Sequence, residues 1–121
     1  MPQTSLRKTT RFSCMLVMMA ISVALVPAIS MAEAGKHVVE ARNEAKEAVK
    51  HGKQGHADVL GKHAETALRH VQLMEKEYKG NMHVQAAMAS LEDAVLEAKQ
   101  GHAEKGTEAA EQAVTHLAEV K

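Results

Sequence analysis

The sequence predicts an all-α protein: an up-down-up-down antiparallel four-helix bundle made of two duplicated helical hairpins, preceded by a signal peptide. Three observations carry this expectation. Beyond Pro27 the chain is dominated by Ala, Glu, Lys, His and Val and contains no further proline, a composition that favours helix. Its apolar residues recur at three- and four-residue spacing between short polar breaks that contain glycine. Finally, the pentapeptide KQGHA occurs at 53–57 and again at 99–103, 46 residues later, and laying 37–75 over 83–121 without a gap gives 14 identities in 39 positions. The identities include His37/His83, His56/His102 and His70/His116, so histidine is among the things the duplication kept.

The N-terminal segment stands apart. Residues 1–11 carry Arg7, Lys8 and Arg11 and no acid, an apolar run follows from Cys14 to Ile29, and small residues cluster at Ser30, Ala32 and Ala34. That is the order of a bacterial secretory signal, read as residues 1–32 with cleavage after Ala32 or Ala34. As a membrane anchor the run falls short of the roughly 20 apolar residues a spanning helix needs, and Pro27 interrupts its end. The expected location is the periplasm, with no membrane attachment after cleavage. Cys14 is the only cysteine, lacks a lipoprotein cleavage box before it, and leaves with the signal. The mature chain therefore has neither disulfides nor thiolate metal sites, although the compartment would permit disulfides.

The remainder, residues 33–121, is one domain's worth of chain. Without the three basic residues of the signal it is mildly acidic, and it has no basic patch interleaved with aromatics, which argues against nucleic acid as a partner. Breaks at 52–55, 79–81 and 100–101 divide it into helices over about 36–51, 56–78, 82–99 and 102–120, grouped as hairpin repeats 37–78 and 83–121. In the second break Gly80 suits a helix C′ position and Asn81 an N-cap. The first helix presents Val38, Ala41, Ala45 and Ala48 along one stripe. The second presents Ala57, Leu60, Ala64, Ala67, Val71, Met74 and Tyr78. The third gives Val84, Ala87, Leu91, Ala94 and Ala98, and the fourth Ala103, Gly106, Ala110, Ala113, Leu117 and Val120. These are a and d positions of a heptad, and short connections make successive helices antiparallel neighbours. A seam this rich in alanine gives close helix approach but a thin core, because each methyl contributes only about 0.8 kcal/mol. Met74 at d and Met88 at e are expected to pack inward.

Registers set from the apolar residues alone put all eight histidines (His37, His51, His56, His63, His70, His83, His102 and His116) at position g. A g residue flanks the core and stays reachable by solvent, and in an antiparallel pair the g positions of the two helices face one another. Folding the first hairpin about its turn therefore pairs His51 with His56, Glu44 with His63 and His37 with His70. The second pairs Glu97 with His102, Ser90 with Ala109 and His83 with His116. Five of these six rungs bring together two groups that ligate metal. Imidazole and carboxylate are the donors that Cu(II), Ni(II) and Zn(II) take where no thiolate is available. No two histidines lie three or four residues apart, so no helix chelates a metal with two histidines of its own, and binding across helices should report on folding. Candidate third ligands are Glu47, Gln112 and Met82. A competing use of clustered imidazoles is as a pH-responsive group.

The residues that carry these features, HGKQGHADVLGKHAETALRH at 51–70, GNMHV at 80–84 and LEDAVLEAKQGHAEKGTEAAEQAVTHL at 91–117, resemble those of the bacterial periplasmic small metal-binding proteins, and the resemblance covers 37–120. It implies a four-helix bundle that binds several divalent metals, copper foremost with nickel or zinc possible, and acts in metal buffering or tolerance. By matching position it implies His51, His56, His63, His70, His83, His102 and His116 as ligands, with His37 nearer the edge of the pattern. Glu97 and Ala109 stand where the first repeat has His51 and His63, a departure that bears on the second hairpin's sites. The expected activity is non-enzymatic sequestration by a monomer. No haem-attachment motif, phosphate loop, nucleophile motif or di-iron ligand pair points to catalysis. The alternative from a different class is an Ala-rich structural or stress-response module with no physiological metal.

Overall fold

A computed structural model describes residues 31–121, and the predicted n-region and apolar run of the signal lie outside the described residues. Four helices follow one another: α1 Met31–Lys53, α2 Ala57–Met74, α3 Met82–Lys99 and α4 Ala103–Ala118. Hairpins α1–α2 and α3–α4 pack side by side, α2 against α3 and α1 against α4, as an antiparallel bundle. No helix among the described residues is long and apolar enough to cross a membrane.

Two helix limits differ from expectation by more than two residues. α1 includes Met31 and Ala34, and Ala34, one heptad before Ala41, is fully buried. α2 ends at Met74, four residues short of Tyr78, and a turned segment spans 75–80. Glu75, Lys76 and Glu77 offer no apolar group to the core, and carboxylates are unfavourable at the negative end of the helix dipole. Tyr78 still packs against the core from the turn. Asn81 then caps α3 as expected, its side-chain oxygen accepting from the backbone N–H groups of His83 (2.9 Å) and Val84 (3.3 Å).

Both KQGHA segments adopt one geometry. Gly55 and Gly101 take left-handed φ values of 79° and 80°. The N–H of Gly55 bonds the carbonyl of Gly52 (2.9 Å) while that of His56 bonds the carbonyl of His51 (3.0 Å). In the second copy Gly101 bonds Ala98 (3.0 Å) and His102 bonds Glu97 (2.9 Å). This pair of bonds is a Schellman helix stop, and it requires the left-handed residue that glycine supplies most easily. The motif ties the backbone of each break's histidine to the residue it must face across the hairpin.

The core is thin, as the sequence implied: twelve of its twenty buried apolar residues are alanine, so Leu60, Met74, Leu91 and Leu117 carry much of its volume. Met74 is fully buried and Met88 packs against the core. Where the hairpins meet, glycine sets the approach. A Cβ at Gly52 would collide with the Thr107 side chain and lie 2.5 Å from a Leu60 methyl, and one at Gly61 would lie 3.0 Å from the Ala98 Cβ. These are equivalent contacts under the duplication, with the small partner on α1 in one and on α2 in the other. The ion pairs Lys53–Glu111 (2.8 Å) and Lys99–Glu65 (3.3 Å) are also duplicates of each other across the same two helix seams. They are well exposed and contribute little to stability.

Candidate metal centre

The g positions face one another along both hairpins as the register implies. At the turn of the first hairpin the rings of His51 and His56 lie 6.2 Å apart, centroid to centroid. One rung further, the Glu44 carboxylate meets His63 Nδ1 at 2.8 Å, and the His63 ring stacks on His51 at 5.3 Å with only 2° between their planes. His51 Nδ1 is buried and has no hydrogen-bond partner. At the far end His37 and His70 face each other, Nδ1 to Nδ1, at 3.1 Å. In the second hairpin Glu97 meets His102 Nδ1 at 2.8 Å, and the rings of His83 and His116 are 5.8 Å apart. Between them Ser90 and Ala109 are both buried, the rung without ligands.

The ladder is half in and half out of water. His37, His51, His63, His70, His83 and His116 are partly buried, while His56 and His102, which open α2 and α4, are exposed. Imidazoles held this way are accessible to an ion, yet the helix beneath restricts their rotamers. Because each rung takes one group from each of two helices, a bound ion would link the helices as well as satisfy the ligands.

One candidate ligand escaped the sequence reading. Glu40 Oε2 lies 3.2 Å from His37 Nδ1 and 3.2 Å from His70 Nδ1, and among the described residues these three side chains form the one group whose ligand atoms all converge within 4.8 Å. Glu40 falls at heptad position c, which the register assigns to solvent. Its available signal was the His-x-x-Glu spacing with His37, since residues three apart are neighbours on a helix surface. The third ligands expected from the sequence are placed otherwise. Glu47 bonds Lys50 at 3.0 Å, and that hydrogen bond, with the charge behind it, holds its carboxyl below the usual range. Met82 is 76% exposed, and Gln112 also faces solvent.

A thiolate-free bundle that presents imidazole and carboxylate pairs across its helices, with three such side chains gathered at one end, belongs to the class of helical metal-binding proteins. More narrowly, the chain belongs to the small metal-binding protein family, which it matches over residues 9–120. The family is one of metal binding, not catalysis, in agreement with the lack of catalytic motifs in the sequence. No individual curated protein matches the chain.

Proposed function

We propose that the protein sequesters or buffers divalent transition metals in the periplasm, copper first and nickel or zinc after it, through His and Glu ligands paired across antiparallel helices. The observation that carries this reading is the ladder itself. Five cross-helix rungs set two ligand-type side chains opposite each other, and Glu40 adds a third donor to the last rung of hairpin one. Copper leads because nitrogen and oxygen donors without thiolate follow the order of affinity that peaks at Cu(II). Rungs of two ligands leave positions for water, so the sites are open and exchangeable, which suits buffering better than permanent incorporation. The basic, apolar and small-residue order of the N-terminal segment supports export. A monomer suffices, since every rung is completed within one chain.

The test is titration of the mature chain with Cu2+, Ni2+ and Zn2+ by calorimetry, beside a variant in which all eight histidines are glutamine. The expected result is saturable binding of more than one Cu2+ per chain and a higher melting temperature when loaded. Binding no stronger than that of the histidine-free variant would refute the proposal.

A further inference from the structure

The three-ligand cluster differs from the other rungs in shape as well as number. Its donor atoms form a triangle with edges of 3.1, 3.2 and 3.2 Å. Zn2+ bonds of about 2.0–2.1 Å in a tetrahedron set neighbouring donors about 3.3 Å apart on every edge of a face. A tetragonal Cu(II) ion binding the same three donors in its plane needs two edges near 2.8 Å and one near 4.0 Å for bonds of about 2.0 Å. The observed triangle has no long edge, so it is a face and not a tetragonal plane, and its edges fall between those of a tetrahedral face and the roughly 3.0 Å of an octahedral face at bonds of about 2.1 Å. Its donors, two imidazoles and one carboxylate, are those of open zinc sites that hold water in the fourth position.

We infer that His37, Glu40 and His70 form a preorganised three-ligand site for zinc-class ions in tetrahedral coordination, distinct in metal preference from the two-ligand rungs that take copper. The inference rests on the metal-binding reading above and deepens it by assigning a metal class to one place. Both histidines present Nδ1, so each coordinates as the tautomer carrying its proton on Nε2. The cluster belongs to the first repeat alone. His83 and His116 reproduce the histidine pair, with ring centroids 5.8 Å apart against 5.3 Å for His37 and His70, and tilts of 39° against 33°. The residue equivalent to Glu40, however, is Ala86. The second repeat thus holds two-thirds of the same site.

Co2+ added to the untagged mature chain, which carries no thiol, is the probe, because four-coordinate cobalt absorbs strongly in the visible and six-coordinate cobalt only faintly. The expected result is strong bands that saturate at one equivalent, are displaced by Zn2+, and are lost in Glu40→Gln and in His70→Gln. Ala86→Glu should complete a second site and raise the saturating intensity about twofold. Circular dichroism checks that each variant retains its helices, and the wild-type and Glu40→Gln comparison stands even if Ala86→Glu fails to fold. Faint bands only, or strong bands that survive Glu40→Gln, would overturn the assignment while leaving copper sequestration intact. Failure to bind either Co2+ or Cu2+ saturably would overturn both.

Discussion

Leu60 is among the largest fully buried side chains of the thin core, and truncating it gives a quantitative test of the packing. It is fully buried, its methyls lie 3.2 and 3.3 Å from where a Gly106 Cβ would stand, and one lies 2.5 Å from that of Gly52. Leu→Ala in a core costs about 2–5 kcal/mol, and the cost rises with the volume that neighbours fail to refill. Here the facing residues are two glycines with no side chain to move inward, which puts Leu60→Ala in the upper half of that range, about 3.5–5 kcal/mol. For a domain of this size the melting temperature should fall by on the order of 20 °C. Thermal and urea unfolding followed by circular dichroism measure it. A metal that binds only the folded chain, supplied at a hundred times its dissociation constant, should restore about 2.7 kcal/mol. A loss below about 1 kcal/mol would refute the claim that the two glycines hold this space for Leu60. A normal loss with no recovery on adding Cu2+ or Zn2+ would show that metal binding and folding are not linked across the helices.

Three further outcomes are expected. Inserting one glycine at Gly55 breaks the Schellman stop and shifts α2 against α1, so copper stoichiometry should drop through the joint loss of the 51/56 and 44/63 rungs, and the zinc-class site at His37, Glu40 and His70 should be lost with them; unchanged titration curves would refute the facing-rung geometry. Gly52→Ala should destabilise the fold by about 1–3 kcal/mol in chemical denaturation, because its methyl meets Thr107 and Leu60. Lys50→Met should move the titration of the Glu47 carboxyl upward in NMR, since the Lys50 hydrogen bond is the largest cause of its lowered value. The sign follows from linkage: a lowered carboxyl stabilises the fold above its unfolded range and loses that contribution as pH falls through the lowered value. Both side chains are well exposed, so the variant should lose only slightly less stability on acidification than the wild type.

The helices, their order and the opposition of His37 to His70 or Glu97 to His102 were legible in the sequence because they rest on local rules. Heptad spacing fixes which residues share a face, and a short turn with a left-handed glycine fixes which residue of one helix lies across from which residue of the next. The end of α2 was less legible: 75–78 continues the heptad through Tyr78, but two carboxylates at the C-terminal end stop the helix at Met74. Glu40 was hidden for a different reason. Its position on the helix points to solvent, and only a flexible side chain reaching three residues back and across to α2 brings its carboxylate to both imidazoles.

By itself, the sequence determined a duplicated, alanine-seamed bundle with a ladder of histidines along its flanks. Tertiary structure alone decided that one end of that ladder closes into a three-ligand cluster and that Leu60 lodges between Gly52 and Gly106. Periodicity reports the direction in which a Cβ leaves its helix. Where a long side chain ends, and which neighbour is small enough to receive it, depend on the distance between helices, which is set only when all four pack together.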